Sequence, residues 1–323
     1  MKNFLDKVKA VVFGHAIGDA LGVPVEFASR QEMENSPLED MEDGGTYDMP
    51  KGTWSDDTSM SLATLDSLAN NVIDYDDIMA NFCDWINEAK YTPAGLVFDI
   101  GRGTMKSLMS YIRGELKAIE CGQKSELDNG NGSLMRIHPI VLYLANKDMS
   151  IEEKIDIIHN ISSLTHGHIR SKIACGIYAF VLWELLNCPN SVSIRKGLTK
   201  ARRFYSKETE NQYYENLYRK IGCVFLHFED IDTFHPFEKN NIKSSGYVVD
   251  TLEAAIWCLK TTSSYKDCVL KAVNLGGDTD TIAAIAGGLA GALYGYESIP
   301  QEWKDSLIKN DYIESLCEKF CND

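Results

Sequence analysis

Apolar residues recur along this chain at three- and four-residue intervals, in blocks separated by glycine, asparagine and charged clusters. That period predicts helices over residues 6–23, 56–71, 75–88, 103–119, 133–146, 151–164, 168–187, 191–206, 210–226, 247–260, 265–273 and 279–295. Only short apolar runs such as 223–228 have the pattern of a strand. The expected fold is therefore all-α, an orthogonal helical bundle forming a single domain over 1–323. Residues 28–51 are polar and glycine-containing and predict a long surface loop, a kind of segment that in compact domains often carries function.

Two of the predicted helices carry rows of small residues. Gly14, Gly18 and Gly22, extended by Ala10, recur at the same four-residue interval as Ala283, Gly287, Gly291 and Gly295. Such rows let two helices approach with their backbones almost in contact. If these two pack together, Asp19 and Glu26 come close to the start of the second helix. The alternatives are that each row packs against another bulky helix and that Glu26 is solvated.

Two acidic turns each open a predicted helix. Leu-Gly-Gly-Asp-Thr-Asp-Thr over 275–281 places Asp278 and Asp280 two residues apart, with Thr279 and Thr281 adding hydroxyl oxygens. Gly-Thr-Trp-Ser-Asp-Asp-Thr over 52–58 repeats the design with Asp56 and Asp57. Either turn alone reads as a capping turn. Adjacent buried carboxylates repel unless a cation neutralises them, so the two pairs together point to one shared site, and a two-metal centre fits. Oxygen ligands without a soft partner suit Mg²⁺ or Mn²⁺ better than Zn²⁺ or Cu²⁺.

Three connections add candidate chemistry. Asp99 stands just before the glycine turn at 101–104. Asp-Asn-Gly-Asn-Gly-Ser-Leu-Met-Arg over 128–136 is a glycine-rich loop expected to end at a helix N-terminus, a site for phosphate through free N–H groups. Its spacing matches neither the nucleotide-hydrolysing nor the dinucleotide-binding glycine motif. His166 and His168, two apart and without a cysteine partner, read as hydrogen-bonding loop residues rather than zinc ligands. Tyr247, at the mouth of a helix, offers an aromatic face to a base or a side chain to the core. Residues 202–220, charged and tyrosine-rich, read as a solvated face or a partner surface.

Of the 323 residues 44% are hydrophobic, enough for a sizeable core, and the net charge is −15. That charge argues against nucleic acid or an anionic membrane as the main partner. No uninterrupted apolar run reaches the length that spans a bilayer, and no signal-peptide pattern is present. Nine cysteines without a C-x-x-C pair predict reduced thiols and a cytoplasmic location.

Taken together, Gly-Asp-Ala-Leu-Gly at 18–22, the 52–58 turn, Asn-Gly-Ser-Leu-Met-Arg at 131–136, Leu-Thr-His-Gly at 164–167, Ser-Gly-Tyr-Val-Val at 245–249 and the 276–281 turn resemble the ADP-ribosylglycohydrolase family. The resemblance runs in the family's order over about residues 10–295. It implies an all-α fold and a binuclear Mg²⁺ or Mn²⁺ centre that removes ADP-ribose from a modified protein side chain. The implied metal ligands are Ser55, Asp56, Asp57, Asp278, Asp280 and Thr281, with Glu26 beside or on the second metal. Gly101, Gly103 and Thr104, together with Asn131, Gly132, Ser133, Leu134, Met135 and Arg136, would hold the diphosphate. His166 would reach a ribose and Tyr247 would face the adenine. Asp99 matches an acidic position of the arginine-specific branch, and the branch that cleaves serine-linked ADP-ribose looks different there.

The chemistry follows from the bond. Cleavage at C1 of a ribose passes through an oxocarbenium-like state, which needs an oriented sugar, a carboxylate to activate water and a group to handle the departing nitrogen. Asp99 is expected to pair with a guanidinium, and Glu26 or a metal-bound aspartate to place the water. The rival readings are a hydrolase of serine-linked or other O-linked ADP-ribose, and a non-catalytic binding or structural protein on the same fold.

Overall fold

A computed structural model describes residues 2–207 and 242–322. The helix expected at 210–226, the apolar run at 223–228 and the charged stretch beyond Lys207 lie outside these residues. Among the described residues the chain forms fourteen α-helices, a few short 3-10 turns and no β-strand. In order they are α1 (Lys2–Gly22), α2 (Arg30–Asn35), α3 (Asp56–Leu68), α4 (Tyr75–Glu88), α5 (Arg102–Ile112), α6 (His138–Ala145), α7 (Ile151–Ser163), α8 (Ile169–Asn187), α9 (Ser191–Lys207), α10 (Val248–Lys260), α11 (Tyr265–Val273), α12 (Thr279–Tyr294), α13 (Gln301–Ser306) and α14 (Asn310–Cys321).

The two small-residue helices pack on each other, α1 against α12, along most of their length. A Cβ at Gly18 would land on the carbonyl of Ala283, one at Gly14 on that of Gly287, and one at Gly291 on that of Ala10. Any side chain larger than hydrogen at these positions would therefore push the helices apart. Every α12 residue from Thr279 to Gly291 is buried. The stretch Phe4–Val25 of α1 and its C-terminal turn has a mean hydropathy of 1.3, and by length and composition it could cross a membrane. His15 and Asp19 interrupt its apolar run. Within the fold, 89% of its most apolar window is buried, so core packing accounts for its apolarity.

Side chains that cap helices set several starts. Ser150 and Glu153 form a reciprocal capping box at α7, Asp74 accepts from the Asp76 and Asp77 N–H groups at α4, and Ser264 accepts from Asp267 N–H at α11. Two predicted boundaries move by five residues or more. The helix expected over 103–119 stops at Ile112, with Gly114 in the left-handed region (φ 66°). The helix expected over 133–146 begins only at His138, because residues 131–137 turn instead of entering a helix.

Candidate active site

The α1/α12 contact sets the position of the site. Thr279 Oγ1, at the start of α12, donates to the Gly22 carbonyl at 2.8 Å, which joins the last turn of α1 to the first turn of α12. Asp19, from that last turn of α1, accepts hydrogen bonds from Ser55 N–H (2.9 Å), Thr58 N–H (3.0 Å) and Thr58 Oγ1 (2.6 Å). It thereby caps α3 from another helix and brings Asp56 and Asp57 up to Asp278 and Asp280. A 3-10 turn after Gly22 delivers Glu26 to the same place, where it is 4% exposed rather than solvated.

Two groups of carboxylates result. Oxygens of Asp19, Asp57 and Asp280 lie within 4.8 Å of one another, as do oxygens of Glu26, Asp99 and Asp280. Asp280 belongs to both. Ser55 Oγ and Thr281 Oγ1 both donate to Asp57 Oδ2, at 3.1 and 3.2 Å. Asn131 Nδ2 donates to Asp278 Oδ2 at 2.7 Å. Among the described residues no lysine or arginine forms an ion pair with any of these acids.

Burial raises the carboxyl pKa values of Asp56, Asp57 and Asp280 well above the ordinary carboxylate range, and neighbouring carboxylates raise them further. Glu26 is pushed up to about 8, first by burial and then by the charge of Asp99. Glu26 Oε2, Asp57 Oδ1 and Asp280 Oδ2 are buried without a hydrogen-bond partner. Orphaned acceptors of one sign, all carboxylate or hydroxyl oxygen, are the donor set of a hard divalent cation, so these residues could hold one.

Beside this acidic floor, Tyr47 Oη lies 2.9 Å from Asp99 Oδ1 and also reaches Glu26. Its ring packs on Phe98 with centroids 4.9 Å apart. Asp99 (φ 53°) and Phe27 (φ 65°) both hold left-handed backbone conformations, uncommon for non-glycine residues and here placed at one cleft. Phe27 is fastened by its N–H to Gly277 O at 2.8 Å and leaves its ring 67% exposed at the mouth.

The cleft has a volume of about 820 Å³, within the range of small-molecule sites. Glu26, Asp56, Asp99, Asp278 and Thr281 line one end. Gly101, Gly103, Thr104, Gly130, Gly132, Met135 and His166 line the other, and Asn131, bonded to Asp278, lies between the two. A Cβ at Gly103, Gly130 or Gly132 would approach the His166 imidazole to 3.3, 3.4 or 2.8 Å, so the glycines leave room for this ring and for nothing larger. Arg102 and Lys106 add positive charge to the same wall.

Ser55, Asp57 and Asp280, expected as metal ligands, form the buried floor beneath the acidic wall. Ser133, Leu134 and Arg136, expected to cradle phosphate, are buried away from the cleft, because the 131–137 turns send these side chains inward. Ser133 Oγ accepts from Ser162 Oγ at 2.9 Å, and Leu134 joins the core. Tyr247, expected to face a base, turns its ring toward Arg170, whose guanidinium carbon lies 5.8 Å from the ring centroid. His168 is the N-cap of α8 and hydrogen-bonds Asn129, so the two histidines serve different neighbours. Asp19, Tyr47, Phe27, Arg102 and Lys106 were not singled out as site residues. Asp19 had a signal in its place on the glycine-row helix, and Tyr47 only in its long loop.

The ADP-ribosylglycohydrolase family model matches residues 1–323. The chain is 30% identical over 317 residues to ADP-ribosylarginine hydrolase Tri1 of Serratia proteamaculans, covering 98% of this chain and 79% of that protein. It is 30% identical over 305 residues to the ADP-ribosyl-[dinitrogen reductase] glycohydrolase of Rhodospirillum rubrum, covering 94% and 90%. A solved structure described as an ADP-ribosylglycohydrolase-related protein complex superposes with a TM-score of 0.78 at 26% identity, over 100% of this chain and 99% of that one. With a matching fold, a whole-chain family match and an acid-lined cleft in place, the chain belongs to the ADP-ribosylglycohydrolase family and is a glycosidic hydrolase.

Proposed function

We propose that the protein releases ADP-ribose from arginine side chains of modified proteins, using two Mg²⁺ or Mn²⁺ ions held by Ser55, Asp56, Asp57, Asp278, Asp280 and Thr281. The observation that carries the arginine assignment is Asp99. Its carboxylate stands at the cleft in a left-handed turn, held by Tyr47 and adjoining Glu26 and Asp280. A guanidinium is cationic and presents several N–H donors, so it pairs with such a carboxylate, whereas a serine ether offers neither charge nor fork. Two of the relatives are named for arginine-linked or dinitrogenase reductase-linked ADP-ribose, which supports the same linkage.

The two overlapping carboxylate groups and the three orphaned oxygens support a two-cation centre. Both oxygens of Asp19 are engaged by the α3 turn, so Asp19 positions the ligands rather than joining them. The chemistry such ions supply when bound is orientation of the ribose hydroxyls and activation of a water. The chain's own residues do the rest. Glu26, which lines the cleft and whose buried Oε2 has no protein hydrogen-bond partner, takes the proton of the attacking water. Asp99 holds the guanidinium as the C1–N bond breaks. The glycine turns at 101–104 and 130–132 bring backbone to the diphosphate without steric hindrance, and Arg102 and Lys106 offset its charge.

The test is release of ADP-ribose from arginine-linked and serine-linked ADP-ribosyl peptides, with Mg²⁺, with Mn²⁺ and with EDTA. Cleavage of the arginine-linked peptide that EDTA abolishes is the expected result. Cleavage of the serine-linked peptide alone would overturn the linkage, and undiminished turnover in EDTA would overturn the metal centre.

A further inference from the structure

Arg136 was expected to touch phosphate, and its burial assigns it different work. The side chain is 0% exposed, and among the described residues no carboxylate pairs with it. Burial lowers its pKa to about 10, which leaves it cationic at neutral pH. Its guanidinium carbon lies 4.8 Å from the Phe82 ring centroid. Nε and Nη1 find no hydrogen-bond partner, while Nη2 donates to the Ile161 carbonyl at 3.2 Å and to Thr165 Oγ1 at 2.7 Å. A buried cation is costly to desolvate, and this one delivers its strongest hydrogen bond to a single hydroxyl.

That hydroxyl lies 2.9 Å from His166 Nδ1. A guanidinium can only donate, so Thr165 Oγ1 accepts from Arg136. The one hydrogen on Oγ1 then has, among the described residues, a single acceptor within reach, His166 Nδ1. Accepting from an Nδ1–H as well would leave that hydrogen without an acceptor among the described residues, so the arrangement favours an unprotonated Nδ1 with the proton on Nε2. Nε2 is the nitrogen beside Gly103 and Gly130 in the cleft wall, and it makes no hydrogen bond among the described residues although the imidazole is only 6% exposed. Burial, reinforced by the charge of Arg136, holds the imidazole neutral by pushing its pKa down to about 3.

We propose that Arg136 is a positioning residue that acts through Thr165: together they lock His166 in the Nε2–H tautomer, so that the cleft offers a hydrogen-bond donor to an acceptor oxygen of the ADP-ribosyl group. In the opposite tautomer a nitrogen lone pair would face that oxygen and repel it. The ligand half of this inference rests on the function proposed above, whereas the tautomer half stands apart from it.

The experiment separates the two. Nitrogen-15 NMR of histidine-labelled, full-length protein reads the tautomer without substrate, with the His166 signals assigned by their loss in His166→Asn. Wild type is expected to show Nε2–H between about pH 6 and about pH 8. Thr165→Val should shift His166 toward Nδ1–H and raise KM for the arginine-linked peptide about 10-fold while kcat changes less than about 3-fold, the size expected for one lost hydrogen bond to the bound ligand. Thr165→Ser, which keeps the hydroxyl, should restore the wild-type tautomer and bring KM back. Arg136→Met should behave as Thr165→Val does; if it does not fold, Thr165→Val decides. A wild-type Nδ1–H tautomer, or a Thr165→Val protein with unchanged tautomer, overturns the relay whatever substrate is cleaved. An altered tautomer with unchanged KM overturns the ligand half alone.

Discussion

The two ends of the cleft are built from opposite materials. At one end six aspartates and a glutamate crowd at the α1, α3 and α12 termini and in the loop before α5, with buried oxygens that no protein donor satisfies. At the other end glycines and one imidazole leave open backbone, with Arg102 and Lys106 alongside. The first end is a site for positive charge, made by side chains. The second is a site for negative charge, made largely by the absence of side chains. A substrate that carries a diphosphate and a cationic guanidinium spans both, and neither end alone would orient it.

The sharpest way to break this contrast is at Asp280, the acid common to both carboxylate groups. Asp280→Asn should reduce ADP-ribose release by on the order of 10³-fold or more while the circular dichroism spectrum stays that of a folded helical protein. Turnover within a few-fold of wild type would show that the acidic floor is structural only. Asp99→Asn tests the boundary of the acidic end. It should lower turnover of an arginine-linked peptide by roughly 10²-fold while Mg²⁺ still raises the melting temperature as in wild type. A variant that instead loses the Mg²⁺ response would move Asp99 from substrate to metal.

At the opposite end, an added Cβ at Gly132 would meet His166 Cε1 at 2.8 Å and Thr104 Oγ1 at 3.1 Å. Gly132→Ala should raise KM about 10-fold with kcat within about 3-fold, the cost of a modest overpacking. An unchanged KM would mean that the glycine end does not hold the ligand. The smallest effect is a dependence of stability on pH. Because burial raises the Glu26 pKa from 4.5 to about 8, the folded state binds that proton more tightly than the unfolded chain. The resulting stabilisation is fully present below the unfolded value and is lost as pH rises through about 8. A divalent cation favours the charged carboxylates, so thermal melts should show a larger gain from Mg²⁺ over EDTA at about pH 8 than at about pH 5. A larger gain at the acidic pH would contradict the placement of the cation among these acids.

The sequence and the structure divide along the same line. The helical periods, the two acidic turns and the matching glycine rows are local repeats, so they were legible in the chain, and the rows also indicated which two helices meet. Glycines 101, 103 and 132 could be named because a turn that must stay open is written in its own residues. Differences arose where direction mattered. A start of α6 at His138, rather than five residues earlier, turned the side chains of Ser133, Leu134 and Arg136 from the cleft to the core, and the ring of Tyr247 lies beside Arg170.

What the tertiary structure alone decided are contacts between segments far apart in the chain. Asp19 caps a helix that begins 37 residues later at Asp56. Tyr47 reaches Asp99 across 52 residues, and Arg136 reaches Thr165 across 29. A period or a motif constrains neighbours three or four residues apart, because that is the reach of helix geometry. Which hydroxyl meets which carboxylate, and which imidazole nitrogen keeps its proton, is settled only when the packing of α1 against α12 and of the loops around them brings those groups within hydrogen-bonding distance.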